Sequence, residues 1–233
     1  MHRISLVKYV AQAGFCSRRK AAHIIKTGLV KINETIITKP DCIVEDGQVV
    51  KVGRRVLKLQ KKMYLLLNKP SGYITSHSDE KGRQTVFDLV RDIGKQRLHT
   101  IGRLDKNTTG LLVLTTDGDL TQQLAHPKYE VQKTYIATLD KPVSMFDIMQ
   151  IRKGIYLKDG KVTVDRIARI GSNKAKITLH SGKYRIIRRL FKKLGYNVLV
   201  LDRINYAGLT KQGLKNGHWR QLTLAEIKKL KTK

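Results

Sequence analysis

The sequence has 233 residues, 41% of them hydrophobic, with 47 Lys and Arg against 18 Asp and Glu and a formal net charge of +29 at pH 7. That length supports a genuine core and more than one domain, while the excess of bases repels itself unless a polyanion offsets it. The bases spread along the whole chain, which points to extended faces for nucleic acid and away from a membrane-surface helix; a ribosomal or DNA-architectural protein would share the bias.

No stretch approaches the roughly 18 consecutive apolar residues of a spanning helix. Lys8 interrupts the short apolar stretch at the N-terminus, which argues against a secretory leader. Cys16 and Cys42 stand far apart, outside any metal-like cluster, and read as two reduced thiols. Together these features predict a cytoplasmic protein.

Residues 1–60 read as a small α/β module with twelve bases and four acids. Ser5 can cap a helix carrying Leu6, Val10 and Ala13 inward, with Gly14 as its stop. Ser17 can cap a second helix, SRRKAAHIIKTG, that buries Ala21, Ala22, Ile24 and Ile25 and ends at Gly28. Short strands follow in LVKIN, ETIIT and QVVKVG, with Asn33 and Gly47 at turns. Arg18, Arg19 and Lys20 lie in the first turn of the second helix, where cations oppose the helix dipole; an RNA phosphate would remove that cost, although a merely solvated charge run reads equally well.

VGRRVLKLQKK reads as a basic linker, and residues 61–233 as a larger α+β unit of many strands and few helices. MYLLLNKPSGYITS gives a strand, a turn at Pro70-Ser71-Gly72, and a second strand. LLVLTT is apolar throughout, as a central strand would be. After a turn at Asp117-Gly118, DLTQQLAHP reads as a short helix, KTYIATL as a strand, and SMFDIMQIRKG as a helix closed by Gly154. KVTVDRIARI and KAKITLH read as two strands, and NVLVLDRINYAG as another. Thr223 and Glu226 have capping-box spacing ahead of a last helix, LTLAEIKKLK.

Three features bear on chemistry. Asp105 lies between Arg103 and Lys106 in a chain poor in acids, just before the apolar run; alone it reads as a turn residue. Tyr135 lies in a strand, where a tyrosine is ordinarily core. In YRIIRRLFKKLG, a turn of about 100° per residue puts Ile187, Leu190, Phe191 and Leu194 on one face, with Arg185, Arg189 and Lys192 opposite. Arg188 falls at the seam, placed to meet a carboxylate in a cleft.

In this order the motifs resemble the bacterial ribosomal-RNA pseudouridine synthases that carry an N-terminal S4 domain, the RsuA-like family. KYVAQAGFCSRRKAAHIIKTGLVKIN is similar to the S4 domain, GRLDKNTTGLLVLTTDGDL to the aspartate signature, and HPKYEVQKTYIATL to the tyrosine motif. LLLNKPSGYITS resembles the first catalytic strand, while SGKYRIIRRLFKKLG, VLDRINYAGL and WRQLT resemble the closing motifs. The closing helix departs from the family pattern at Ser181, Ile186 and Ile187, where an acid and polar residues are usual.

The resemblance implies an α+β fold: an S4 RNA-binding domain over residues 1–60, then a mixed, largely antiparallel sheet with flanking helices over residues 61–233. It implies an isomerase that converts uridine to pseudouridine in ribosomal RNA after flipping the base from its stack, with no metal or small-molecule cofactor. The GRLDKNTTGLLVLTTDGDL stretch is closest in appearance to the large-subunit members; small-subunit rRNA and tRNA stay open as substrates. Asp105 would be the nucleophile, buried and held ionised by Arg188; Tyr135 would stack on the uracil and assist proton removal from C5. Arg18, Arg19, Lys20, Arg103, Arg185 and Arg189 would contact RNA, as part of a ribosomal RNA or pre-ribosomal particle, with the protein a monomer. A non-catalytic RNA-binding assembly factor on the same scaffold is the competing class.

Overall fold

The computed structural model describes residues 3–94 and 96–232. It forms two compact units, one built mainly from residues 1–63 and the other from most of residues 64–233.

In the first unit, β1 (Ile4–Ser5) leads into α1 (Leu6–Gln12), and α2 (Arg18–Lys26) follows a short turn. Ser17 caps α2 by accepting from the Lys20 backbone N–H at 3.3 Å, whereas Ser5 makes no such bond to α1. The strands are short: β2 (Val30–Ile32), β3 (Thr35–Ile36), β4 (Ile43–Val44), β5 (Val50–Val52) and β6 (Arg55–Val56). Four of them form an antiparallel sheet in the order β3-β2-β5-β6, and β4 pairs with β1. Two helices this short cannot bury enough on their own, so Leu6, Val10, Ile25, Val30 and Val50 share one core between helices and strands. Ala22, expected among the buried residues of α2, is only half-buried. Both cysteines are free thiols, and burial pushes Cys16 up from its ordinary pKa.

The second unit is organised by a nine-stranded sheet. Its elements are β7 (Tyr64–Lys69), β8 (His99–Ile101), β9 (Thr108–Thr115), α3 (Gly118–Ala125), β10 (Lys133–Leu139) and α4 (Met145–Lys153). A hairpin of β11 (Ile155–Leu157) and β12 (Gly160–Val162) precedes β13 (Arg166–Gly171) and β14 (Lys174–Leu179). Then come α5 (Ile186–Lys193), β15 (Val198–Tyr206), β16 (Leu209–Thr210), β17 (Trp219–Gln221) and α6 (Leu224–Lys231). The sheet order is β13-β14-β10-β15-β9-β7-β17, with β16 beside β15 and β8 beside β9. Every pairing is antiparallel except β9 with β15. The mixed, largely antiparallel sheet of the α+β expectation is therefore present.

Local chemistry explains several boundaries. Thr223 and Glu226 form the reciprocal capping box that starts α6, and Gly154 closes α4 at φ 95°. Two expectations need correction. KVTVDRIARI is two strands, β12 and β13, broken at Thr163–Asp165, where Asp165 turns to bond His180 at 2.8 Å. The strand expected after Pro70-Ser71-Gly72 is only a bridge from Ile74 to Thr85, followed by a 3₁₀ segment over Val86–Ile93.

The sheet also decides where a cleft can open. One edge of β9 pairs with β15 through Thr108–Gly110 and with β8 through Val113–Thr115. Two strands cannot occupy one edge at once, so β15 and β8 diverge, and the loop joining β8 to β9 (residues 102–107) emerges at the fork. At Gly110 (φ 101°) an added Cβ would come within 2.3 Å of the Arg203 carbonyl, so only glycine lets the two backbones approach there.

Candidate active site

A cleft of about 680 Å³ lies at this fork, lined by Asp105, Tyr135, Arg185, Leu201, Arg203 and Tyr206 among others. That volume falls in the range of small-ligand sites and has room for an extruded nucleotide.

The loop bearing Asp105 is held from several sides. The Thr108 N–H donates to the Asp105 carbonyl at 3.0 Å, closing a turn, and the Gly72 N–H donates to the Lys106 carbonyl at 3.0 Å. Thr75 Oγ1 donates to the Leu104 carbonyl at 2.9 Å. From beneath, Lys69 Nζ donates to the carbonyls of Pro70, Lys106 and Thr108 at 3.0, 3.1 and 2.8 Å. Lys69 is fully buried. Burial brings its pKa down to about 8, partly opposed by Asp105 and reinforced by Arg203. A lysine offers three N–H donors, and here three loop carbonyls use them, which fixes the loop that presents Asp105. Sequence reasoning missed both Lys69 and Thr75; the available signal was a lysine at the end of an otherwise apolar strand.

Asp105 itself departs from expectation. It lines the cleft, yet 43% of its side chain is exposed, so it is not the buried carboxylate that was anticipated. The mouth of the cleft lets water reach it.

Among the described residues its nearest cation is Arg185, with Nε 3.9 Å from Asp105 Oδ2. Arg185 is the left-handed residue (φ 44°, ψ 36°) that precedes α5, so the helical rotation that placed it opposite the apolar face does not apply. Such a half-exposed pair is worth at most about 1 kcal/mol. Arg188 sits one turn into α5 with its guanidinium committed to backbone: Nη1 donates to the Val198 carbonyl at 2.5 Å and Nη2 to the Asn107 carbonyl at 3.4 Å. Burial and the neighbouring Arg185 push Arg188 below the usual arginine range, while Asp105 pulls it upward. Arg188 therefore braces the end of the Asp105 loop and adds positive field there, without a direct ion pair.

Tyr135 is buried on β10 directly across from Arg203 of β15, and both line the cleft. Lys133, two residues earlier, donates to the His180 carbonyl at 2.7 Å; burial and Arg203 lower it to about 8. Arg203 is 2% exposed. Of the other residues suggested by sequence, Arg103 lines the cleft and is exposed. Arg189 is instead paired with Asp159 through both guanidinium ends, at 2.9 and 3.0 Å. Arg18, Arg19 and Lys20 lie exposed on α2 in the first unit. Ile186 and Ile187, where the closing helix departs from the family pattern, are buried, and both line the cleft together with Ser181. Among the described residues no three His, Cys, Asp or Glu side chains gather as a metal-binding group.

A carboxylate held at the mouth of a cleft, an aromatic ring in the same cleft and a cationic surround suit addition to, or proton removal from, a flipped nucleotide. Comparison with known proteins agrees. A profile described as RNA pseudouridylate synthase matches residues 63–193, and one described as S4 domain matches residues 5–56. The chain is 38% identical over 232 residues to the ribosomal large subunit pseudouridine synthase B of Bacillus subtilis, covering 97% of this chain and 95% of that protein. It is 35% identical over 237 residues to the protein of that name from Haemophilus influenzae, covering 97% and 66% respectively. A crystal structure of a pseudouridylate synthase superposes with a TM-score of 0.71 at 29% identity, covering 97% of this chain and 99% of that one. The chain belongs to the RNA pseudouridylate synthase family, in the branch that carries an N-terminal S4 domain, and is an RNA-modifying isomerase.

Proposed function

We propose that the protein isomerises a uridine of large-subunit ribosomal RNA, with Asp105 as the catalytic carboxylate. The placement of Asp105 in the cleft that Tyr135 also lines, on a loop clamped by Lys69, carries this reading. The large-subunit assignment rests on similarity to the two relatives named for that RNA.

In the reaction the bond from N1 to C1′ breaks with its electron pair leaving on the uracil ring. Asp105 either adds to C1′ or takes the 2′ proton, and both routes release the same uracil anion. The ring turns and C5 bonds to C1′ as the Asp105–C1′ ester bond breaks or, on the other route, as the 2′ proton returns from Asp105; the C5 proton then departs and N1 regains one. Tyr135 stacks on the ring, with its hydroxyl the group that assists removal of the C5 proton. Arg188 keeps the loop and its carboxylate in place, and Arg185 offsets the Asp105 charge at the mouth. Arg103 meets backbone phosphate beside the cleft, and Arg18, Arg19 and Lys20 grip an RNA stem-loop through phosphates. Arg189, bonded to Asp159, is the weakest of the RNA contacts. The protein works in the cytoplasm as a monomer without cofactor.

The test is to incubate the protein with transcribed fragments of large- and small-subunit rRNA and with tRNA, and to map carbodiimide-dependent reverse-transcription stops. New stops in large-subunit fragments, absent with Asp105→Asn, are expected. Stops only in another RNA would move the substrate; stops that persist with Asp105→Asn would remove the assigned chemistry.

A further inference from the structure

The cleft floor holds a guanidinium that the fold itself does not fully use. Arg203 is 2% exposed, and its Nε donates to the Leu111 carbonyl at 2.7 Å. Its guanidinium carbon lies 4.8 Å from the centre of the Tyr206 ring. Nη2 is buried and has no hydrogen-bond partner among the described residues. A buried, unbonded donor on a charged group is costly, and folded proteins rarely keep one without a role. The position is also crowded with positive charge: burial lowers both Lys69 and Lys133, and Arg203's field adds to that lowering. The negative charges that act on these two lysines are the half-exposed Asp105 for Lys69 and Asp165 for Lys133.

We infer that Arg203 is the base-recognition cation of the site, the guanidinium that lines the cleft meeting a carbonyl oxygen of the flipped uracil. The register directs it there. Arg203 and Tyr135 are Cα partners on adjacent strands, so their side chains rise from the same face of the sheet, and Leu201, two residues earlier on that face, also lines the cleft. A ring stacked on Tyr135 would bring its edge over Arg203. The contact would strengthen as the reaction proceeds. When the bond to C1′ breaks, the electron pair left on the ring is shared by O2 and O4, and a fixed cation already in place meets that charge without reorganising. An uncompensated cationic floor matches a uracil anion better than it matches neutral uridine.

This inference rests on the uridine-isomerase reading and is tested separately from it. Three versions of the RNA identified by mapping would carry uridine, 2-thiouridine or 4-thiouridine at the target, sulfur being the weaker acceptor. Single-turnover rates would be measured with wild type, Arg203→Met and Arg203→Lys, alongside melting curves. Wild type should lose about tenfold on one of the two thio substrates, and Arg203→Met should be about a hundredfold slower on uridine while losing nothing more on that same thio substrate. A folded Arg203→Met that turns over like wild type, or that suffers the full thio penalty, would overturn the assignment. Should Arg203→Met not fold, Arg203→Lys replaces it; should neither fold, wild type decides, because indifference to both sulfurs refutes a base-carbonyl contact and points to phosphate. Wild type inactive on every RNA would instead count against the function proposed above.

Discussion

The start of α2 and the floor of the cleft each gather three cations, and they treat them oppositely. Arg18, Arg19 and Lys20 are exposed, on a first helix turn whose dipole opposes their charge. Lys69 and Arg203 are buried and Lys133 half-buried, each with a donor spent on a backbone carbonyl. Exposed charge is screened by salt within about 10 Å and can be rearranged at little cost, which suits gathering a polyanion. Buried charge cannot move or be screened, which suits holding one loop and meeting one developing anion. One excess of bases is thus placed in two settings suited to different tasks.

The largest expected effect tests whether the cleft cations act through a carboxylate at all. Asp105→Asn should lower the rate of pseudouridine formation by at least about four orders of magnitude. RNA affinity in a filter-binding assay should meanwhile stay within about twofold, since no positive charge is lost. Next, the two arginines near Asp105 can be separated. Arg188→Ala frees the Asn107 and Val198 carbonyls and should cost about a hundredfold in kcat, whereas Arg185→Ala removes only a half-exposed partner and should cost about tenfold. The reverse order in stopped single-turnover assays would make Arg185 the principal support of the carboxylate.

The α2 cations should behave differently in kind. Replacing Arg18, Arg19 and Lys20 together by Ala should weaken RNA binding by about tenfold and reduce the salt slope of log Kd by about 2, with kcat at saturation unchanged. A fall in kcat at unchanged affinity would erase the contrast between the two regions. The smallest effect concerns pH and stability. Lys133 is lowered from its usual 10.5 to about 8, so between these values the unfolded chain holds a proton that the folded chain has given up. Stability therefore rises with pH across that window, by less than about 1 kcal/mol per pH unit for this residue. Urea midpoints at pH 8 and pH 10 should differ less in Lys133→Met than in wild type.

The sequence carried much of this, where the signal was local. The Ser17 cap, the Thr223 and Glu226 capping box, the apolar run of β9 and the separation of a small basic module from a larger sheet unit each depend on neighbours in the chain. The aspartate motif singled out Asp105, and the tyrosine motif Tyr135, as residues of one site; both line one cleft. Errors arose where the decisive contact was distant. Helical periodicity sent Arg185 to the wrong face because one left-handed residue precedes α5. A strand was expected at residues 73–76, yet that segment is consumed in tying Thr75 to the Leu104 loop.

Composition, periodicity and motif order determined by themselves that this is a basic, two-part, α+β protein of an RNA-isomerase kind, because those properties are written in runs of adjacent residues. Only the tertiary structure decided which cations line the cleft. Lys69 and Thr108 are 39 positions apart, and Arg203 and Leu111 are 92 apart. Pairings at such distances come from the register of β7, β9 and β15, where a shift of one residue would turn every one of these side chains to the opposite face.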